Sequence, residues 1–221
     1  MRLCLLILFI LCSGIARAAD VRVIDGDTLD VDGQRYRLNA IDAPERGQKC
    51  QTKAGLVSCG GTAADFVKSL ALSGDVTCKD LGPDAFHEHR RIAVCYANGQ
   101  DIGQLLLRRG LAWVSTPFLK DHPSYSATYP EDELAAKARA LGVWERDNQT
   151  PWDYRRDRWD VEAQKAPSGC AIKGNNNGRE LIYHMPWDAS YTRTRISASK
   201  GERWFCSEDE AEAAGWRRAL R

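Results

Sequence analysis

Between Val23 and Glu45 the chain reads VIDGDTLDVDGQRYRLNAIDAPE. Three strand-like runs, Val21 to Ile24, Thr28 to Val31 and Tyr36 to Ile41, are broken by Asp25-Gly26-Asp27 and by Asp32-Gly33. Asp-Gly is a strong hairpin signal, so these runs are expected to fold back on one another as a short antiparallel sheet. Asp25 and Asp27 are two apart, and in an extended chain both side chains leave one face, where Arg37 and Asp42 arrive from the third strand. Carboxylates that face one another repel unless something positive stands between them. A hard cation held by oxygen, Ca²⁺ or Mg²⁺, would meet that need, and the lack of Cys or His in the stretch argues against zinc. On its own Asp25-Gly26-Asp27 is ordinary turn chemistry. Arg37 and the segment Asp42-Ala43-Pro44-Glu45, stiffened by Pro44, turn the group toward attack on a phosphodiester.

From about Val21 to Trp144 the chain resembles the staphylococcal-nuclease-like (thermonuclease) family. A second shared motif is His89-Arg90-Arg91-Ile92-Ala93-Val94-Cys95-Tyr96-Ala97-Asn98-Gly99, followed by Leu105-Leu106-Leu107-Arg108-Arg109-Gly110-Leu111-Ala112. A third is the helix expected from Glu131 to about Leu141, with Leu134, Ala138 and Leu141 on one stripe, ending in Gly142-Val143-Trp144. The fold this implies is β-rich α+β: a five-stranded OB-type barrel with about three helices. Two of those helices are also read from pattern, at Gly61 to Ser73 and at Asp101 to Arg109.

The resemblance also implies a site. A calcium ion would be held by Asp27 and Asp42 with the backbone carbonyl of Ala43, and Asp25 would stand nearby. Glu45 matches the general base for the attacking water, and Arg37 and Arg90 match the pair that grips the phosphate. Forked guanidinium groups stay charged and meet two phosphate oxygens at once, which suits a developing phosphorane. His87 stands where the family often has a lysine, and Thr116-Pro117-Phe118 replaces a pair of tyrosines, leaving Phe118 to stack on a base. Ala43 replaces a frequent threonine, a change that a main-chain ligand survives. His87-Glu88-His89 has no further ligand run and is expected in a solvated loop rather than at zinc.

The implied function is a secreted, calcium-dependent endonuclease of the thermonuclease type. As a hydrolase it would cut DNA, RNA or both with little sequence preference, as a monomer. The alternative is a non-catalytic OB-type protein that binds nucleic acid or a surface. No carboxylate pair for sugar hydrolysis is apparent.

Met1-Arg2, the apolar run from Leu3 to Leu11 and Ala16-Arg17-Ala18 follow the pattern of a signal peptide cleaved after residue 18. The apolar run falls short of the roughly 20 residues of a spanning helix, so no stable membrane insertion is expected, and the protein should be secreted or periplasmic. Removing Arg2 and Arg17 leaves 29 basic against 30 acidic residues. No global positive field attracts nucleic acid, and phosphate would have to be bound by local arginines and metal. Outside the leader stand Cys50, Cys59, Cys78, Cys95, Cys170 and Cys206, an even set suited to an oxidising compartment. Six cysteines allow fifteen pairings. Cys50–Cys59 would tie the loop beside Glu45, Cys78–Cys95 would cross a hairpin around an Asp80 to His89 loop, and Cys170–Cys206 would close the terminal module.

The expected organisation is a leader (1–18), the barrel domain (19–149), a linker (150–169) and a small C-terminal module (170–221). The linker holds Pro151-Trp152-Asp153-Tyr154-Arg155-Arg156-Asp157-Arg158-Trp159, whose interleaved Trp, Tyr and Arg could stack on nucleic acid but equally suit a segment clamped across the barrel, the reading preferred here. In the module, strands are expected near Leu181 to His184 and Arg203 to Phe205, making a β-hairpin/helix unit. The capping box Ser207-Glu208-Asp209-Glu210 opens a helix expected to run through Ala213 to Leu220.

Overall fold

The computed structural model describes residues 19–219, so the expected leader, with Cys4 and Cys12, lies outside the described residues. The chain opens with β1 (Val21–Val23), β2 (Thr28–Val31), β3 (Gln34–Leu38) and β4 (Ile41–Asp42). Then come the small hairpin β5 (Cys50–Thr52) and β6 (Gly55–Val57), α1 (Cys59–Leu72), and the long strands β7 (Val76–Asp84) and β8 (His87–Ala97). β9 (Gln100–Asp101), α2 (Ile102–Arg108), β10 (Trp113–Val114), α3 (Pro123–Ser126) and α4 (Tyr129–Ala138) complete the barrel. α5 (Pro151–Ala163) leads to β11 (Ile172–Asn176), β12 (Leu181–His184), β13 (Arg203–Phe205), α6 (Glu208–Ala213) and β14 (Arg217–Arg218).

The class is α+β, an OB-type barrel with helices. Its curled sheet is ordered β1-β2-β3-β8-β7, with β9 on β8, and β4 pairs separately with β10. The β2–β3 turn is made by Asp32 and Gly33, both left-handed at φ 50° and 84°, the backbone that a two-residue hairpin requires. β3 and β8 run parallel, with Arg35 opposite Arg90 and Arg37 opposite Ile92. Leu29, Leu38, Ile41, Val67, Ile102, Leu106 and Leu107 fill the barrel core and are essentially inaccessible to solvent. Each such side chain contributes about 1.5–3 kcal/mol of burial.

Three expectations change. His87 and His89 lie on β8 rather than in a loop, because the β7–β8 ladder continues to the pair Asp84 and His87. On α4 the buried residues are Tyr129 and Ala136, whereas Leu134 is 62% exposed. Tyr129, outside the expected helix, rotates its inward face by donating its hydroxyl to Asp101 at 2.7 Å. The capping box does open α6, where the Ser207 hydroxyl accepts from Glu210 N–H at 3.0 Å, but the helix ends at Ala213. Gly215 turns the chain at φ 83°, and Arg217–Arg218 instead pair in parallel with β12.

Disulfides join Cys50 to Cys59, Cys78 to Cys95 and Cys170 to Cys206. Cys78 and Cys95 are direct partners in the β7–β8 ladder. The C-terminal sheet, ordered β13-β11-β12-β14, has its own core of Ile172, Tyr183, Met185, Phe205 and Trp216. Within residues 150–169, Thr150 caps α5 by accepting from Asp153 N–H at 3.3 Å, and Pro151 occupies the first turn. This helix joins the two cores: Trp159 packs on the C-terminal one, and Arg158 donates to the carbonyl of Pro186 at 2.9 and 3.0 Å.

Candidate active site

The acidic turn is bent rather than extended. Ile24 and Asp25 N–H both donate to the carbonyl of Thr28, and Asp27 N–H donates to Asp25 Oδ1 at 3.1 Å. Gly26 is required by close approach, since a Cβ there would lie 2.7 Å from that of Ala43 and 2.8 Å from that of Ala63. The turn is thereby pressed between the end of β4 and α1, and Asp27 is driven into the protein at 2% exposure.

Buried Asp27 is held from several sides. Ala43 N–H donates to its Oδ2 at 2.8 Å, while Thr28 hydroxyl and Arg37 Nη1 donate to Oδ1 at 2.9 and 3.1 Å. Burial raises the Asp27 carboxyl above its ordinary range, and Arg37 acts against that shift. Asp42, fixed where β4 pairs with β10, accepts from Arg37 Nη2 at 2.9 Å. One guanidinium thus bridges the two buried carboxylates, and they raise its own proton affinity although burial opposes them.

Arg155 of α5 is the functional-site residue that sequence reasoning missed. Its Nη1 and Nη2 donate to Asp42 Oδ1 and Oδ2 at 3.0 and 2.7 Å, and Nη1 also reaches Glu45 Oε1 at 2.7 Å. The helix start at Thr150-Pro151 was the available signal, but nothing local indicates which barrel residue Arg155 meets. Burial pushes the Glu45 carboxyl up to about 8, against the opposing pull of Arg155. The Glu45 backbone is pinned by Gln48, whose Oε1 accepts from Glu45 N–H at 3.2 Å.

Arg90 comes from β8. In the parallel register it lies opposite Arg35, and Arg35 and Arg37 share a face of β3, so Arg90 joins Arg37. Arg90 Nε donates to buried Asp84 at 2.7 Å. Burial, and then repulsion from Arg37, lowers the proton affinity of Arg90. His87 is half-buried, and burial together with Arg90 depresses its basicity. Phe118 is 40% exposed and meets the 68% exposed Phe86 edge-to-face at 6.2 Å.

A cleft of about 290 Å³ gathers Asp25, Arg37, Glu45, His87, Arg90, Phe118 and Arg155 on one surface. A neighbouring hollow of about 270 Å³ shares Arg37, Arg90, Phe86 and Phe118 and adds Leu38, Ile41 and Ile92. Oδ1 atoms of two buried aspartates that converge on one positive group fit a hard divalent cation in place of, or beside, that group. No cluster of three or more His, Cys, Asp or Glu side chains able to hold a metal occurs among the described residues. A cation here would therefore rest on two carboxylates completed by main-chain, water or phosphate oxygen. It would compete with Arg155 for Asp42.

Residues 35–146 match the family described as Staphylococcal nuclease homologue, and residues 160–218 match a second family described as ArfC. The Succinoglycan biosynthesis protein ExoI of Rhizobium meliloti (strain 1021) is 30% identical over 125 residues, spanning 55% of this chain and 61% of that protein. Less than two thirds of that relative is thus matched. A Micrococcal nuclease of Shigella flexneri is 32% identical over 154 residues, 63% of this chain and 80% of the relative. An uncharacterized endonuclease of Escherichia coli O157:H7 is 32% identical over 152 residues, covering 66% and 88% respectively.

Proposed function

The chain belongs to the staphylococcal nuclease homologue family, and on that premise we propose that it is an exported, calcium-dependent nuclease that hydrolyses phosphodiester bonds of DNA, RNA or both. The observation that carries this reading is the shared guanidinium. Arg37 reaches Asp27 at 3.1 Å and Asp42 at 2.9 Å in the cleft that also holds Glu45 and Arg90. The names of the nuclease relatives support it.

In this reading the scissile phosphate lies against Arg37 and Arg90, whose N–H groups stabilise the charge that grows on its oxygens. Asp84 aims Arg90. As Glu45 takes a proton from the attacking water, the new O–P bond forms, the P–O bond on the opposite side breaks in line, and the leaving oxygen takes up a proton from solvent. Burial suits Glu45 to this task, because a carboxylate of raised proton affinity is a stronger base. Asp27 and Asp42 would hold calcium, with the Ala43 carbonyl and with Asp25 nearby, and the bound ion supplies positive charge that polarises the phosphate. Phe118, with Phe86, offers a face for a base, and His87 lines the approach. Residues 19–149 form the catalytic domain, with 150–169 as its linker and 170–221 as an accessory module. Export accords with three disulfides. No helix among the described residues is long and apolar enough to cross a membrane.

The test is cleavage of labelled DNA and RNA by the full mature chain, with Ca²⁺ or with chelator, beside Asp42→Asn. The reading predicts cleavage that chelation abolishes and Asp42→Asn cuts by at least about 10²-fold. Cleavage that ignores chelation removes the metal assignment. Retention of strands without cleavage replaces the nuclease by an OB-type binding protein.

A further inference from the structure

Glu45 is fixed at its backbone by the barrel and at its side chain by the helix that follows the barrel. Gln48, buried at 1% exposure, accepts from Glu45 N–H at 3.2 Å and donates to the carbonyl of Gln149 at 2.7 Å, so the loop carrying Glu45 and the approach to α5 share one amide side chain. Asn148 pairs with the backbone of Gln51, accepting from its N–H at 2.7 Å and donating to its carbonyl at 3.0 Å. On the other side, the first turn of α1 leaves no space for a Cβ on Gly60, which lies against the Glu45 carbonyl. α5, started by the Thr150 cap, then carries Arg155 to the carboxylates. Among the described residues Arg155 is the only donor to the Glu45 carboxylate. Its Nη1 meets Glu45 Oε1 at 2.7 Å and the same nitrogen meets Asp42 Oδ1 at 3.0 Å, while Glu45 Oε2 takes no donor among those residues.

We propose that Arg155 is a positioning residue for the cleavage reaction, holding Glu45 by one oxygen in fixed relation to Asp42 so that the other oxygen faces the attacking water. This rests on the nuclease reading above and adds to its machinery a residue from outside the barrel. A glutamate side chain turns about several torsions, and a carboxylate left without a donor spreads over several staggered rotamers. A base that must meet one water beside one phosphate loses rate with every wrong rotamer, and a misplacement of about 1 Å costs on the order of 10²-fold. Arginine suits this task better than lysine, since its planar fork spans two carboxylates at set angles. A cation drawn to Asp42 competes for one end of that fork and leaves the Glu45 end in place. The barrel thus takes the alignment of its base from the helix that follows it.

The experiment measures kcat and KM for a labelled strand at saturating Ca²⁺ in the full mature chain, in Arg155→Met, Arg155→Lys and Glu45→Gln, and in each Arg155 variant combined with Glu45→Gln, all checked for folding by circular dichroism. Arg155→Met is expected to lower kcat at least about 30-fold and to change KM by less than about threefold. Arg155→Lys, which keeps the charge and loses the fork, should recover at least about threefold of that loss. Beside Glu45→Gln, either Arg155 substitution should slow cleavage by less than about threefold, because its effect passes through the base. Binding of the same strand in chelator, read by fluorescence anisotropy, should weaken by less than about threefold in Arg155→Met. An unchanged kcat in Arg155→Met overturns the proposal, as does a loss that persists in full beside Glu45→Gln, or a strand affinity that falls along with kcat, the mark of a direct phosphate contact. If Arg155→Met does not fold, Arg155→Lys carries the same test, with kcat lowered at least about threefold alone and unmoved beside Glu45→Gln. An unaltered protein that cuts nothing, or a Glu45→Gln protein that cuts at full rate, defeats instead the nuclease reading on which the proposal rests.

Discussion

Arg155 reaches across 113 residues of sequence to place its two terminal nitrogens on the two carboxylate oxygens of Asp42, at 3.0 and 2.7 Å. The contact turns the helix after the barrel into part of the site. Arg155→Ala leaves Asp42 with Arg37 alone and the buried Glu45 carboxyl without its side-chain donor, and is expected to cost about 1–3 kcal/mol of stability in urea unfolding. Since Ca²⁺ would take over neutralisation of Asp42, the ion should raise the melting temperature of the variant by more than that of the unaltered protein. An equal shift in both would show that Arg155 and the ion do not compete.

Gly26→Ala tests how the acidic turn is seated. Its methyl group would meet the methyl carbons of Ala43 and Ala63 at 2.7 and 2.8 Å, so one of the two walls must move. Overpacking of this kind costs about 1–3 kcal/mol. Because the displaced turn carries Asp27, cleavage should fall by a larger factor than the stability loss explains, read as kcat of the folded fraction. Unchanged kcat would show that the position of Asp27 is not critical.

A third prediction concerns pH and the C-terminal module. Burial, then repulsion from Arg218, depresses the His184 imidazole to about 4, while its Nδ1 lies 2.9 Å from the Ser190 hydroxyl. The unfolded chain, in which the ring titrates near its ordinary value of about 6.5, binds more protons between those limits. Stability from a neutral His184 is therefore complete above about 6.5 and is lost as pH falls toward 4. The contribution is at most about 3 kcal/mol, reduced by partial solvent access. The melting temperature should drop between pH 7 and pH 4.5, and His184→Gln should flatten that slope. An unaltered slope in the variant would assign the acid sensitivity elsewhere.

What was legible in the chain was local. Asp32-Gly33 announced the β2–β3 turn because two left-handed residues are what such a turn requires, and Ser207 with Glu210 marked the start of α6. Where tertiary partners decide, local pattern does not suffice. α6 stops at Ala213 because Arg217 and Arg218 find a strand partner in β12, and Leu134 faces solvent because Tyr129 reaches Asp101. The disulfides were legible despite fifteen possible pairings, since Cys50–Cys59, Cys78–Cys95 across its hairpin and Cys170–Cys206 are the three that form. Arg155 looked like one basic residue among several, since its meaning lies in Asp42 and Glu45, which are distant in sequence.

In the proposed mechanism Glu45 draws a proton from water beside a phosphate held by Arg37 and Arg90. Single-turnover cleavage of a labelled strand by the unaltered protein and by Glu45→Gln, from pH 6 to 9 at saturating Ca²⁺, addresses it most directly. The rate should climb with pH as Glu45 ionises, with a midpoint at or below about 8 because the ion favours the carboxylate. Glu45→Gln should be slower by at least about 10²-fold and should lose that rise. A Glu45→Gln protein that keeps both the rate and the pH dependence would rule out Glu45 as the base.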